Sequence, residues 1–257
     1  MNIEIEIETV PCLSDNYAYI IHNQTENMTC AVDVPEAEPI INLLKKKRWT
    51  LNKIVLTHHH SDHVAGVEEL LEHHPATVSG AAADFERLPT LDEKLTHKDL
   101  FNLGNLEFSI MEVYGHTIGH IALYSKEMSA VFSGDSLMTL GCGRLFEGTP
   151  KIMWETLQKF SQLPPYTKVY SGHEYGKKNA SFAISIDPSN ESLQKRVKMI
   201  NMLRSKNIPT VPSTIGVELK TNPFLRAGEI EIKEKLAMTQ YEDHLVFAEL
   251  RSRRDVF

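Results

Sequence analysis

Ile54-Val55-Leu56-Thr57-His58-His59-His60-Ser61-Asp62-His63 is the stretch whose reading decides the fold. An apolar run of strand length ends in a block of histidines, and the residues after it read as the entrance to a helix. Side chains alternate along an extended chain, so His58 and His60 project to one side, while Asp62 and His63 can turn toward a second position. Imidazoles and a carboxylate suit a divalent ion: zinc first, with iron or manganese compatible, and with coordination positions left for water. The competing reading is a solvated histidine cluster. It is set aside because three more predicted strand ends supply the ligands that the metal reading needs.

Those elements are Gly115-His116-Thr117-Ile118-Gly119-His120, Ser133-Gly134-Asp135-Ser136 and Ser171-Gly172-His173-Glu174. Each alone is weak, since a Gly-His pair is usually a turn and a single buried histidine is usually hydrogen-bonded core. Strand ends collect along one edge of a sheet, where ligands far apart in sequence can meet. His59 and His120 lie inside the motifs but are not expected to bind metal.

Working outward, strand patterns are expected at residues 3–10, 17–22, 29–34 and 53–57, with helices at 39–49 and 63–74. A second block repeats the theme, with strands at 106–113, 120–124, 130–133 and 167–170 and a helix at 151–163. From Glu174 the texture changes to helices at 175–184, 191–205, 230–236 and 241–251, interrupted by Asp187-Pro188 and by the proline-containing stretch 208–224. Alternating strands and helices argue for α/β layers. The expected organisation is a metal-binding domain over residues 1–173 and a helical, substrate-binding domain over 174–257.

The chain has 257 residues, 42% of them hydrophobic and 24% charged, enough for one sizeable core with a smaller appended domain. It carries a net charge of −7, which argues against a nucleic-acid partner and requires that any anionic substrate meet a local basic patch. Three cysteines are too few and too odd in number for a disulfide framework and favour a reducing, cytoplasmic setting. No apolar stretch approaches the roughly 20 residues that span a bilayer. The opening alternation of isoleucine and glutamate reads as a strand rather than a signal peptide. A monomer is expected.

His-x-His-x-Asp-His followed by the Gly-His, Gly-Asp and Gly-His elements resembles the metallo-β-lactamase superfamily. That resemblance implies a four-layer αβ/βα sandwich with a C-terminal helical domain, holding two divalent metal ions. It puts His58, His60 and His116 on one ion, Asp62, His63 and His173 on the other, and Asp135 between them.

A narrower resemblance covers nearly the whole chain. Pro11 with Asp15-Asn16-Tyr17, the run Gly141-Cys142-Gly143-Arg144-Leu145-Phe146-Glu147-Gly148-Thr149, Gly172-His173-Glu174-Tyr175 and Thr221-Asn222-Pro223-Phe224-Leu225-Arg226 are similar to the glyoxalase II, or hydroxyacylglutathione hydrolase, family. It implies hydrolysis of an acylated glutathione thioester by metal-bound hydroxide. Asp62 and Asp135 then tune the site as well as hold it, and Arg144, Tyr175, Arg251 and Arg254 bind the glutathione portion. Arg253 reads instead as a solvated helix-end charge. Phe146 stands where some relatives have tyrosine, and Tyr114 replaces the proline common before the Gly-His element. Other readings on the same scaffold are a single-iron glutathione persulfide dioxygenase, a nuclease that the acidic composition disfavours, and a non-catalytic glutathione-binding module.

Overall fold

Isoleucine on one side and glutamate on the other make the first strand, β1 (Ile5–Cys12), an edge strand with half-buried side chains. The computed structural model describes residues 4–257, so Ile3, expected to begin this strand, lies outside the described residues. The chain forms two compact units. One comprises the described part of Met1–Glu112 together with Ile118–Gly134, and the other comprises Val113–Thr117 with Asp135–Phe257.

In the first unit β1 pairs antiparallel with β2 (Asn16–Asn23), which pairs antiparallel with β3 (Met28–Val32). Helix α1 (Ala37–Lys47) then crosses over to β4 (Leu51–Leu56), parallel to β3. Its last turn places Lys45, Lys46 and Lys47 at the negative end of the helix dipole. Next come α2 (Ser61–Val64), α3 (Val67–His73), β5 (Thr77–Ala81) and β6 (Glu93–Leu95), giving the sheet order β1-β2-β3-β4-β5-β6. The single helix expected at 63–74 is therefore two. Gly66 separates them, because its amide donates to Val34 O (2.9 Å) and a side chain there would strike the Glu36–Ala37 backbone. Ile20, Ile40, Leu44, Ile54, Leu56 and Leu70 fill the space between sheet and helices. Each such side chain, once buried, contributes about 1.5–3 kcal/mol.

The same unit holds an antiparallel meander of β7 (Leu100–Leu103), β8 (Leu106–Glu112), β9 (Ile121–Ser125) and β10 (Ala130–Gly134). Tyr19 of β2 meets Phe132 of β10 edge to face, with centroids 5.5 Å apart, which marks the core between the two layers of strands. The interior strand β5 escaped the sequence reading, because Thr77-Val78-Ser79-Gly80-Ala81 has no sustained apolar run. Pairing with β4 and β6, rather than propensity, makes it a strand.

The second unit begins with the hairpin β11 (Leu137–Met138) and β12 (Gly141–Cys142). Helix α4 (Pro150–Ser161) follows, started by Pro150 and by Thr149, whose hydroxyl accepts from Ile152 N at 3.3 Å. After β13 (Lys168–Ser171) come α5 (Gly176–Ile186) and α6 (Glu191–Ser205), the latter capped by Asn190 on Leu193 N at 3.1 Å. The short β14 (Ser213–Thr214) pairs antiparallel with β13. Helices α7 (Ile215–Thr221), α8 (Ile230–Leu236) and α9 (Asp243–Asp255) complete the unit. Helix α7 lies within the stretch expected to be irregular. Gly216 and the β-branched Ile215 and Val217 argue against a helix, but the Thr214 cap and the burial of Ile215, Glu218 and Thr221 override them.

Candidate metal centre

Beyond the end of β4 the chain delivers four candidate ligands of the first unit within seven residues. His58 and His63 are fully buried, while His60 and Asp62 are half-buried. His58 Nε2 lies 3.1 Å from His60 Nδ1, and His63 Nε2 lies 3.9 Å from Asp62 Oδ2.

The tautomers are set from behind. Asp33 accepts from Thr57 N, from Thr57 Oγ1 and from His63 Nδ1, each at 2.8 Å. Because the Thr57 hydroxyl gives its proton to Asp33, it accepts from His58 Nδ1 at 3.0 Å. Both Nδ1 atoms therefore carry the protons, and both Nε2 atoms present lone pairs. Ring nitrogens gathered this closely fit a cation and would repel one another if protonated. Asn16 orients the carboxylate, donating to Asp62 O at 2.9 Å and to Asp62 Oδ2 at 3.0 Å.

The two histidines not expected to ligate are engaged elsewhere. His59 Nδ1 is on Asp84 at 2.8 Å, and Asp84 also pairs with Arg87. His120 stacks on His58, with centroids 4.6 Å apart and planes at 14°, and donates to Ile121 O at 3.0 Å. Gly134 leaves room for this stack, since a side chain there would meet His120 and Thr57.

In the second unit Asp135 Oδ2 lies 3.5 Å from His116 Nε2 and 3.2 Å from His173 Nε2, and all three residues are buried. His116 Nδ1 donates to Arg144 O at 2.8 Å, again freeing Nε2. Gly143 permits the approach, because a Cβ there would collide with Asp135 O and the His116 ring. The two departures noted in the sequence are both accommodated. Tyr114 O accepts from Thr156 Oγ1 at 2.7 Å, which anchors the turn that a proline would stiffen. Phe146 is 62% exposed and meets the His116 ring edge on at 5.3 Å.

Three arginines and a tyrosine of the second unit form the candidate anion site. Tyr175 stacks on His173, with centroids 4.6 Å apart and planes at 6°. Arg144 is exposed, with Nε 3.4 Å from Asp255. Arg251 is buried; it donates to Cys142 O at 2.9 Å and Asp255 at 2.8 Å, and sits over the Phe224 ring at 5.1 Å. Arg254 donates from Nε and Nη2 to Asn179 Oδ1, both at 3.3 Å. Burial, then the nearby Arg251 and Arg144, press the Arg254 guanidinium below its ordinary pKa. Cys12, Cys30 and Cys142 are free and buried, and burial raises the Cys142 thiol to about 11, so it is an inert thiol.

Sequence reasoning missed Asp33, Thr57, Asn16 and Asp84 behind the histidines, and Asn179 and Asp255 beside the arginines. Thr57 and Asn16 stood inside quoted motifs, but nothing local marks Asp33, 24 residues upstream, as the partner of Thr57, or Asp62 as that of Asn16.

The metallo-beta-lactamase superfamily model matches residues 29–173, and the model for the hydroxyacylglutathione hydrolase C-terminus matches 174–257. The crystal structure of ETHE1 from Myxococcus xanthus aligns over 98% of this chain and 99% of its own, with a TM-score of 0.64 at 22% identity. The fold is thus the metallo-β-lactamase fold, two mixed layers of sheet and helix with a helical C-terminal part. A hydroxyacylglutathione hydrolase of Cereibacter sphaeroides is 53% identical over 98% of this chain and 99% of its own length. One of Roseobacter denitrificans is 50% identical over the same shares. The chain belongs to the hydroxyacylglutathione hydrolase family of the metallo-β-lactamase superfamily, and its histidine and aspartate groups are of the kind that hold divalent metal. Among the described residues no helix is long and apolar enough to cross a membrane.

Proposed function

We propose that this protein hydrolyses the thioester of S-(2-hydroxyacyl)glutathione, releasing glutathione and a 2-hydroxy acid, with S-D-lactoylglutathione giving D-lactate. The observation that carries this reading is the match, over nearly its full length, to hydroxyacylglutathione hydrolases. The buried, tautomer-fixed His58, His63 and His116 support it.

In this proposal His58, His60 and His116 hold one divalent ion, Asp62, His63 and His173 a second, and Asp135 both, with zinc the first choice. When bound, such ions would acidify water toward neutrality and polarise the scissile carbonyl. Asp33 and Thr57 keep His58 and His63 in the donor tautomer. Asp62 and Asp135 supply two negative charges that hold the cations while leaving the centre net positive toward an incoming oxyanion. Arg144, Arg251 and Arg254 gather positive charge on an acidic protein and meet the glutathione carboxylates, with Tyr175 packing beside them. Water oxygen bonds to the carbonyl carbon, the C–S bond breaks, the electron pair leaves on sulfur, and the water protons pass to the thiolate and solvent. A thiolate leaves readily, so no dedicated general acid is required. Residues 174–257 serve substrate binding, and the protein works as a monomer in the reducing cytoplasm.

Incubation with S-D-lactoylglutathione should release free thiol in step with loss of thioester, and His58→Ala should abolish it. Wild-type protein replete with metal that releases no thiol would refute the assignment.

A further inference from the structure

The hairpin between Asp135 and Arg144 is gripped along its length by polar side chains from α5, α7 and α9 and by that of Asn222, the residue that follows α7. Asn222 donates to Met138 O at 3.3 Å and Gly141 O at 3.0 Å, and Asn179 Nδ2 donates to Thr139 O at 3.0 Å. Glu218 accepts from Leu140 N at 2.8 Å, and Arg251 donates to Cys142 O at 2.9 Å. Asn179 also holds Arg254: its amide is 5% exposed, with Nδ2 on the hairpin and Oδ1 taking both Nε and Nη2 of the guanidinium.

Only a carboxamide meets both demands, because it has a donor at one end and a neutral acceptor at the other. Turning the amide over would set an N–H against the guanidinium and an oxygen against the Thr139 carbonyl. Gly141 makes the approach feasible, since a Cβ at that position would collide with Asn179 Nδ2. A carboxylate in place of the amide would neutralise Arg254, whereas Arg144 and Arg251 already share Asp255.

We infer that Asn179 is a positioning residue for substrate binding: it clamps one edge of the Arg254 guanidinium on a neutral oxygen, directing Nη1 and the intact charge to a carboxylate of the glutathione portion. This rests on the proposed thioester hydrolysis. The clustered like charges, disfavoured when the site is empty, are relieved by an anionic ligand.

The test measures KM and kcat with S-D-lactoylglutathione, and Kd for glutathione by calorimetry, for Asn179→Ser and Asn179→Asp, alone and combined with Arg254→Ala. Melting temperature reports folding. KM should rise about 10-fold with kcat changed less than about twofold, a shift of about 1.4 kcal/mol, just under the low end of what a hydrogen bond to a charged group contributes. In the Arg254→Ala background Asn179→Ser should add less than about twofold. Arg254→Lys, which keeps the charge but lacks the fork that Asn179 holds, serves if the Asn179 variants fold poorly, and its KM should lie above wild type and below that of Arg254→Ala. An undiminished Asn179 effect without Arg254, a loss confined to kcat, or a wild-type KM for Arg254→Lys would overturn the inference. Protein that hydrolyses nothing yet binds glutathione in an Asn179-dependent way would sink the thioester reading alone.

Discussion

The histidine loop of the first unit and the arginine patch of the second are both polar, yet they are assembled in opposite ways. In the loop, the candidate ligands sit within seven residues at one strand end, and their partners merely fix which nitrogen carries the proton. In the patch, Arg144 comes from the loop after β12 and Arg251 and Arg254 from α9, while the residues that aim them lie on α5 and in the last turn of α9. The difference teaches that a site encoded by spacing survives as a motif, whereas one encoded by packing is visible only after folding.

The sharpest break of that comparison is removal of a ligand. Asp135→Ala should lower kcat/KM by at least about 10³-fold, because several kcal/mol of charge stabilisation go with it. Near-normal turnover would contradict its shared role. Asp33→Ala should leave the ligands in place but loosen their tautomers, weakening metal affinity by about 10- to 100-fold in chelator competition. An unchanged affinity would show that the support is dispensable.

On the patch side, Arg251→Ala should raise KM and also cost about 2 kcal/mol in denaturant unfolding, since it leaves Cys142 O without its donor, leaves Asp255 to Arg144 alone and vacates the Phe224 face. A pure KM effect with full stability would show that Arg251 contributes to ligand binding alone and braces nothing. Glu218 is buried, and burial raises its pKa above the ordinary carboxylate value. The native state therefore keeps a proton that the unfolded chain releases. That contribution is complete below the ordinary value and is lost as pH rises through the raised one, so stability declines with pH across that window. Glu218→Gln should flatten this part of a melting-temperature profile, and an unaltered slope would contradict it. The smallest effect is expected from Arg253→Ala, which loses an exposed pair with Glu249 and should change stability by less than about 0.5 kcal/mol with no change in KM.

The α/β layering, the histidine and aspartate groups of the kind that hold metal, and the helical texture after Glu174 were legible because each depends on period or local spacing. Strand β5 and helix α7 were not, since neighbouring strands and a buried face overrode weak propensities. Asp33, Asn179 and Asp255 were illegible for a related reason: each is an ordinary polar residue until the fold chooses its partner.

Reconstitution of metal-free protein with measured zinc tests the proposed pairing of the two ligand sets most directly. Thiol release from S-D-lactoylglutathione should climb with added ion and level off at two equivalents per chain, with no uptake of dioxygen. Full activity at one equivalent, or dioxygen consumed in place of thiol released, would contradict it.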